Sequence, residues 1–297
     1  MSPAVHRQVL PNQAVFQGPQ VSPLLYPAGP FLLVTHDPRR LCSGQSPARQ
    51  TIIASMTAPA AIPEEVEAKL LVPRPAILSA IARLKDLGPY RLRLRQTMRL
   101  HTIYLDTAEF TLARHGVALR LRRNRTRWEA SIKWSGREDG IVHTRPELTV
   151  RLPRPPSFPF TVPAGPLATQ LSVLVAGQPL TPILISDVHR QRRAVRVGKQ
   201  GEASTFAELA LDHVRLSAPR SRRRLTDTYC EIEIELEATG TTQDLLDFAE
   251  LLRVRFALMP TAGSKFSRGL ALLYGPGFLG TQPRAARKRA RPPIAQQ

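Results

Sequence analysis

From Glu64 to Leu71 charged and apolar residues alternate, the period of a strand with one apolar face. Between Pro75 and Leu87 the period lengthens. Apolar residues fall at 77, 78, 81, 84 and 87, which predicts an amphipathic helix with a proline near its start. Further strands are predicted over 99–106, 117–123, 127–134 and 142–151, with Gly116, Gly136 and Gly140 in the turns. Residues 153–166 hold six prolines and read as a linker or long loop. A short helix is expected over 167–175, strands over 182–197, 206–216 and 228–238, and a helix over 243–253 capped by Thr241 or Thr242.

The two ends carry no such period. Residues 1–62 are proline-rich and read as disordered, and 281–297 as a disordered basic tail, leaving 63–280 as the folded domain. Met56 lies just before the first strand and is read as the biological start, with 1–55 as extra translated sequence.

Composition narrows the partners. The chain has 297 residues with 42 Lys+Arg against 23 Asp+Glu, a formal charge of +19. The middle keeps +11 without either end, which favours an anionic partner. No apolar stretch is long enough to span a membrane as a helix. Two cysteines and seven scattered histidines make neither a disulfide framework nor a zinc site.

The candidate chemistry lies on the strand faces, since residues two apart point the same way. Glu65, Glu67 and Lys69 share a face opposite Val66, Ala68 and Leu70. Arg120 and Arg122 oppose Leu119 and Leu121, while Arg190 and Arg192 share a face with Val188. Glu208 and Asp212 share one face, and Glu231, Glu233, Glu235 and Glu237 another. For any single strand, an ordinary solvated face is the plainer reading. Yet solvated faces usually mix Thr, Ser, Lys and Gln, whereas these are nearly pure carboxylate or pure guanidinium. Carboxylates about 7 Å apart in a row repel unless cations lie against them. A closed or nearly closed barrel answers both points, with an ionic interior, one wall acidic and another basic, and apolar residues packed outward on helices. Carboxylate pairs suit Mg²⁺ or Mn²⁺, and guanidinium and ammonium groups suit phosphate oxygens. Together they are the apparatus of phosphoryl transfer.

At these residues the chain resembles the CYTH family, the triphosphate tunnel metalloenzymes. Glu65, Glu67 and Lys69 match its opening Glu-x-Glu-x-Lys. Tyr104-Leu105-Asp106-Thr107 and Leu119-Arg120-Leu121-Arg122 match its next signatures, and Lys133, Arg145 and Glu147 follow in order. Ser186 to Arg192 resembles its second basic strand, Glu208 to Asp212 its Glu-x-Ala-Leu-Asp, Cys230 to Leu236 its acidic strand, and Ser264-Lys265 its closing element. After residue 275 only the basic tail follows, so the helical CHAD domain of some bacterial members is not expected.

The resemblance implies an α+β fold: an eight-stranded antiparallel β-barrel, a triphosphate tunnel, with flanking helices. It implies a cytoplasmic metal-dependent triphosphatase acting on inorganic triphosphate or a related small molecule. Glu65, Glu67, Glu231 and Glu233 would hold Mg²⁺ or Mn²⁺. Lys69, Arg120, Arg122, Lys133, Arg145, Arg190, Arg192 and Lys265 would hold phosphate oxygens. Glu235 and Asp212 would bind a second metal or orient the attacking water, which Lys69 could also position. Tyr104 and Asp106 are read as structural. The alternatives are a class IV-type adenylyl cyclase, or a non-catalytic module binding polyphosphate or nucleic acid. Nucleic acid is the less favoured partner, because aromatics make up only 6% of the chain and do not cluster in sequence with the arginines.

Overall fold

The computed structural model describes residues 62–198, 204–219, 225–261 and 263–278. Residues 1–61, Met56 among them, and the expected tail 281–297 lie outside them. In chain order the elements are β1 (Glu64–Val72), α1 (Pro75–Arg83), β2 (Asp86–Leu87), β3 (Tyr90–Asp106), α2 (Thr111–Arg114), β4 (Val117–Asn124), β5 (Arg127–Trp134), β6 (Arg137–Asp139), β7 (Val142–Leu152), α3 (Pro166–Val175), β8 (Thr181–Val197), β9 (Ser204–Ser217), β10 (Thr226–Leu236), α4 (Thr242–Phe256), β11 (Met259–Pro260) and α5 (Lys265–Tyr274).

Eight strands close a ring in the order β1, β10, β9, β8, β3, β4, β5, β7, and β7 returns to β1 through Glu65↔Arg145 and Glu67↔His143. The pairings round the ring are antiparallel, so the expected α+β fold with eight antiparallel strands is the fold observed. The short β2, β6 and β11 ride on β3, β7 and β1. Pro146 is tolerated in β7 because it sits where two ladders hand over. Pairing with β5 begins at Glu147, and pairing with β1 ends at Pro146.

Several elements exceed their sequence reading. β3 begins at Tyr90 rather than 99, because the arginine-rich stretch 91–99 pairs with β8 from Arg91↔Arg196 onward. The helices α2 and α5 were not read from the pattern. α2 has only four residues and follows the buried Asp106, whose carboxylate accepts the backbone N–H groups of Thr107, Leu112 and Ala113. α5 starts with a capping box in which Ser264 Oγ accepts the N–H of Ser267 at 3.2 Å. Thr241 caps α4 in the same manner with Asp244.

Apolar residues pack outside the ring in two clusters. Leu70, Leu209, Leu211, Ile232 and Ile234 meet Leu78 and Ile81 of α1 and Leu245, Phe248 and Leu252 of α4. Leu105, Leu119, Leu121 and Ile132 meet Leu112 of α2 and Leu167 and Leu171 of α3. A third cluster corrects the expectation of an ionic interior throughout. At one end of the ring the inward positions turn apolar, with Leu100, Tyr104, Leu184, Val188, Val214 and Leu216, and α5 packs Phe266 and Leu270 against them. Among the described residues that end is stoppered, and the charged side chains occupy the other half.

Gly269 lets α5 seat this closely: a Cβ there would lie 2.2 Å from Leu184 Cδ2. Gly269→Ala adds a better helix former yet is expected to lose about 1–3 kcal/mol through overpacking. A lower melting temperature checks this. A neutral or stabilised variant would show that α5 is not seated on Leu184.

Candidate active site

The ring's charged half encloses a cavity of about 300 Å³. Strand alternation supplies its walls. β1 contributes Glu65 and Lys69, β4 Arg120 and Arg122, β5 Glu129 and Lys133, β7 Arg145, Glu147 and Thr149, β8 Arg190, and β10 Glu233 and Glu235. From the stoppered end, α5 adds Lys265 at its first turn.

The acidic strands are neutralised by cations from within the ring. Lys69 Nζ lies 3.1 Å from Glu67 and 3.7 Å from Glu233, its partner in the β1–β10 register. Glu67, nearly fully buried, also meets Arg145. Lys265 Nζ stands where three carboxylates converge, 2.9 Å from Asp212, 2.8 Å from Glu233 and in contact with Glu231. Arg190 grips Asp212 with two bonds of 2.8 and 2.7 Å and reaches Glu233 as well. Lys133 bridges Glu65 at 2.5 Å and Glu147 at 2.9 Å, and Arg120 meets Glu147 at 2.8 Å.

These contacts set the ionisation of the wall. Burial opposes charge on Glu233, but Lys265, Arg190 and Lys69 hold its carboxyl well below the ordinary range. Burial likewise opposes charge on Glu147, yet Arg120 and Lys133 bring it down to about 2. Glu231 goes the other way: burial pushes it up further than Lys265 can offset. Glu235 stands exposed, with no cation bonded to it among the described residues. Partial desolvation and the neighbouring Glu65 lift its carboxyl to about 7. Arg122 donates to the Thr102 hydroxyl, at 3.5 Å, and stands opposite Glu129 of β5; burial beside Arg120 and Arg190 outweighs Glu129 and pushes its guanidinium down to about 10. It is a cation that no carboxylate bonds among the described residues, which leaves its donors to an incoming anion.

Ten of the expected site residues line this one chamber, and four do not: Glu67 and Glu231 are nearly fully buried within its wall, and Arg192 and Asp212 also stand apart from it. Arg192 does not line the cavity; it faces Glu208, with its side chain 37% exposed. Asp212 lies wholly buried behind Arg190 and Lys265, where it positions them and has no access to the chamber. Glu147 was absent from the expected site list. Its parity with Arg145 on β7 was the signal that could have placed it there. Tyr104 was read as structural and also lines the chamber, stacked on Phe266 with ring centroids 5.1 Å apart.

The donor set fits a hard divalent cation. Glu231 and Glu233, backed by the buried Asp212, bring carboxylate oxygens within 4.8 Å of one another, and the Lys265 ammonium already stands as a cation at that point. Glu65 and Glu67 lie beyond Lys69 on the same wall.

A family model described as CYTH domain matches residues 63–270. The chain is similar to an inorganic triphosphatase of Haemophilus influenzae, 26% identical over 214 residues, which cover 70% of this chain and 55% of that protein. It thus spans about half the length of that relative. Among solved structures, the fold is similar to that of a Hippeastrum protein named as an adenylyl cyclase and described with a dominant triphosphatase activity. The TM-score is 0.50 at 17% identity, covering 70% of this chain and 95% of that one.

Proposed function

The chain belongs to the CYTH domain family, and from that premise we propose that it is a metal-dependent triphosphatase. It hydrolyses inorganic triphosphate, or a related triphosphate, to diphosphate and phosphate in the charged half of the barrel. The observation that carries this reading is the chamber itself: Arg120, Lys133, Arg145, Arg190 and Lys265 surround a cavity that Arg122 also lines, bonded to no carboxylate among the described residues.

In this reading Arg122 takes the first phosphate oxygens, and the other cations share theirs between wall carboxylates and substrate. Lys69 holds Glu67 and Glu233 in register and positions the attacking water. The water oxygen bonds to the terminal phosphorus, the bond to the bridging oxygen breaks, and diphosphate leaves. Glu235, lifted to about 7, accepts the water proton at its carboxylate. Glu65, Glu67, Glu231 and Glu233 are the proposed ligands of Mg²⁺ or Mn²⁺, which when bound neutralises charge on the phosphate oxygens. The similarity to the Haemophilus influenzae enzyme supports inorganic triphosphate as substrate. The cyclase alternative asks for an aromatic face for adenine. The chamber's two aromatic rings, Tyr104 and Phe266, stack on each other instead.

The test is phosphate release from inorganic triphosphate, ATP and thiamine triphosphate side by side, with Mg²⁺, Mn²⁺ or EDTA. Release from inorganic triphosphate that needs metal is expected. Cyclic nucleotide and diphosphate from ATP would favour the cyclase. Absence of turnover, with triphosphate binding undiminished by EDTA, would favour the binding module.

A further inference from the structure

Helices cover the outer wall of the ring on two sides, α1 and α4 over β1, β9 and β10, and α2 and α3 over β3, β4, β5 and β7. Between them no helix among the described residues covers the wall, and a groove of about 840 Å³ opens on β4, β3, β8 and β9. Strand register sets its contents. One row runs Arg123, His101, Asp187, Arg215, and the next runs Arg99, His189, His213.

The groove differs from the chamber in three respects. Its cations are unspent: Arg99, Arg125 and Arg215 are exposed and make no ion pair among the described residues, although Arg215 stands opposite Asp187 in register. The one carboxylate of its lining, Asp187, is held by His101 at 2.7 Å. The charges are also spread rather than convergent. From Arg123 to Arg215 the row crosses three strand-to-strand steps, about 14 Å, which suits a chain of phosphates better than one compact anion. Finally, rings are interleaved with the charges. Arg123 lies over the Trp128 indole, 5.7 Å from its centroid, and His101 meets the same ring edge-on at 6.5 Å. His189 and His213 add two more rings 6.4 Å apart. Flat guanidinium, indole and imidazole faces beside a basic groove are what unpaired bases stack on.

We propose that this groove binds single-stranded nucleic acid, with Arg99 and Arg215 on phosphates and the Arg123 guanidinium, backed by Trp128, and His189 under bases. Neither Arg99 nor Arg215 lines the chamber, so the site works independently of hydrolysis.

The experiment uses the full chain in EDTA with a fluorescent RNA of about 12 nucleotides carrying a 5′-hydroxyl, so that no triphosphate is present. Anisotropy is followed across a salt series. A DNA strand of the same sequence, its duplex and inorganic polyphosphate serve as competitors. The double variant R99E/R215E is expected to weaken binding at least tenfold. Its plot of log affinity against log salt should be shallower by about 1.4, two lost phosphate contacts at about 0.7 each. Its melting temperature and metal-dependent phosphate release should match the parent. RNA and single-stranded DNA binding alike, or RNA binding better, supports the proposal. Binding undiminished in the double variant overturns it, as does preference for the duplex or equal competition by polyphosphate.

Discussion

Glu67→Gln is expected to cut metal-dependent phosphate release from inorganic triphosphate about a hundredfold or more while the barrel still folds. Glu67 is nearly fully buried between Lys69, at 3.1 Å, and Arg145. Burial opposes its charge, but Lys69 and Arg145 keep its carboxyl below the ordinary range, so it is an anion at neutral pH. Glutamine has the same shape and a carbonyl oxygen for both cations. Each cation also keeps a second carboxylate, Lys69 at 3.7 Å from Glu233 and Arg145 at 3.5 Å from Glu65. The fold therefore survives. The lost charge is one of the four proposed for the metal, so turnover collapses and more Mg²⁺ is needed for what remains. The chamber also becomes more positive, so triphosphate in EDTA should raise the variant's melting temperature more than the parent's. Near-normal turnover at the usual Mg²⁺ concentration would remove Glu67 from the metal site.

Arg193→Met should lower stability by about 3–5 kcal/mol, or roughly 10 °C in melting temperature for a domain of this size. Arg193 stands on the outer face of β8, 5% exposed, with no carboxylate beside it among the described residues. Its guanidinium donates instead to four backbone carbonyls: Ile81 at 3.2 Å, Ala82, Leu84, and Leu92 at 3.1 Å. Three of these belong to the C-terminal end of α1, where carbonyls lack helical partners and the helix dipole favours a cation. Methionine fills the volume but leaves those oxygens buried and unbonded. Arg193→Lys, with one ammonium in place of a fork, should recover only part of the loss. A change of less than 2 °C in the methionine variant would mean that water takes over the carbonyls.

Much of the ring was legible in the chain, and so was the pairing of residue types within the chamber. A strand has one degree of freedom that sequence states outright, the parity of its side chains. Parity alone put Glu65, Glu67 and Lys69 on one face of β1, and Glu231, Glu233 and Glu235 on one face of β10. A pure carboxylate face needs cations against it, and a closed ring brings them. Parity does not say how far along the strand a face keeps its character in space. The switch from Asp212 to Val214 and Leu216 was written in β9, but only the docking of α5 turned those apolar positions into a stopper.

Tertiary structure also decided which charge answers which, because register between distant strands is fixed by ring closure and not by local pattern. It set Lys265 among Asp212, Glu231 and Glu233, and left Arg122 without an ion pair among the described residues. In the run Arg190, Gln191, Arg192, Arg193, three arginines of like sequence context received three different surroundings. Arg190 entered the chamber, Arg192 went to Glu208 outside it, and Arg193 capped α1. On the outer wall, Arg99, Trp128, His189 and Arg215 are scattered through more than a hundred residues of chain. Adjacent strands place them within a few steps of about 4.8 Å, a nearness that no linear pattern encodes. The sequence by itself determined the alternation, the charge carried on each strand face and the closed antiparallel ring that these require. The partner of each charge was decided only by register and helix docking, which depend on contacts between residues far apart in the chain.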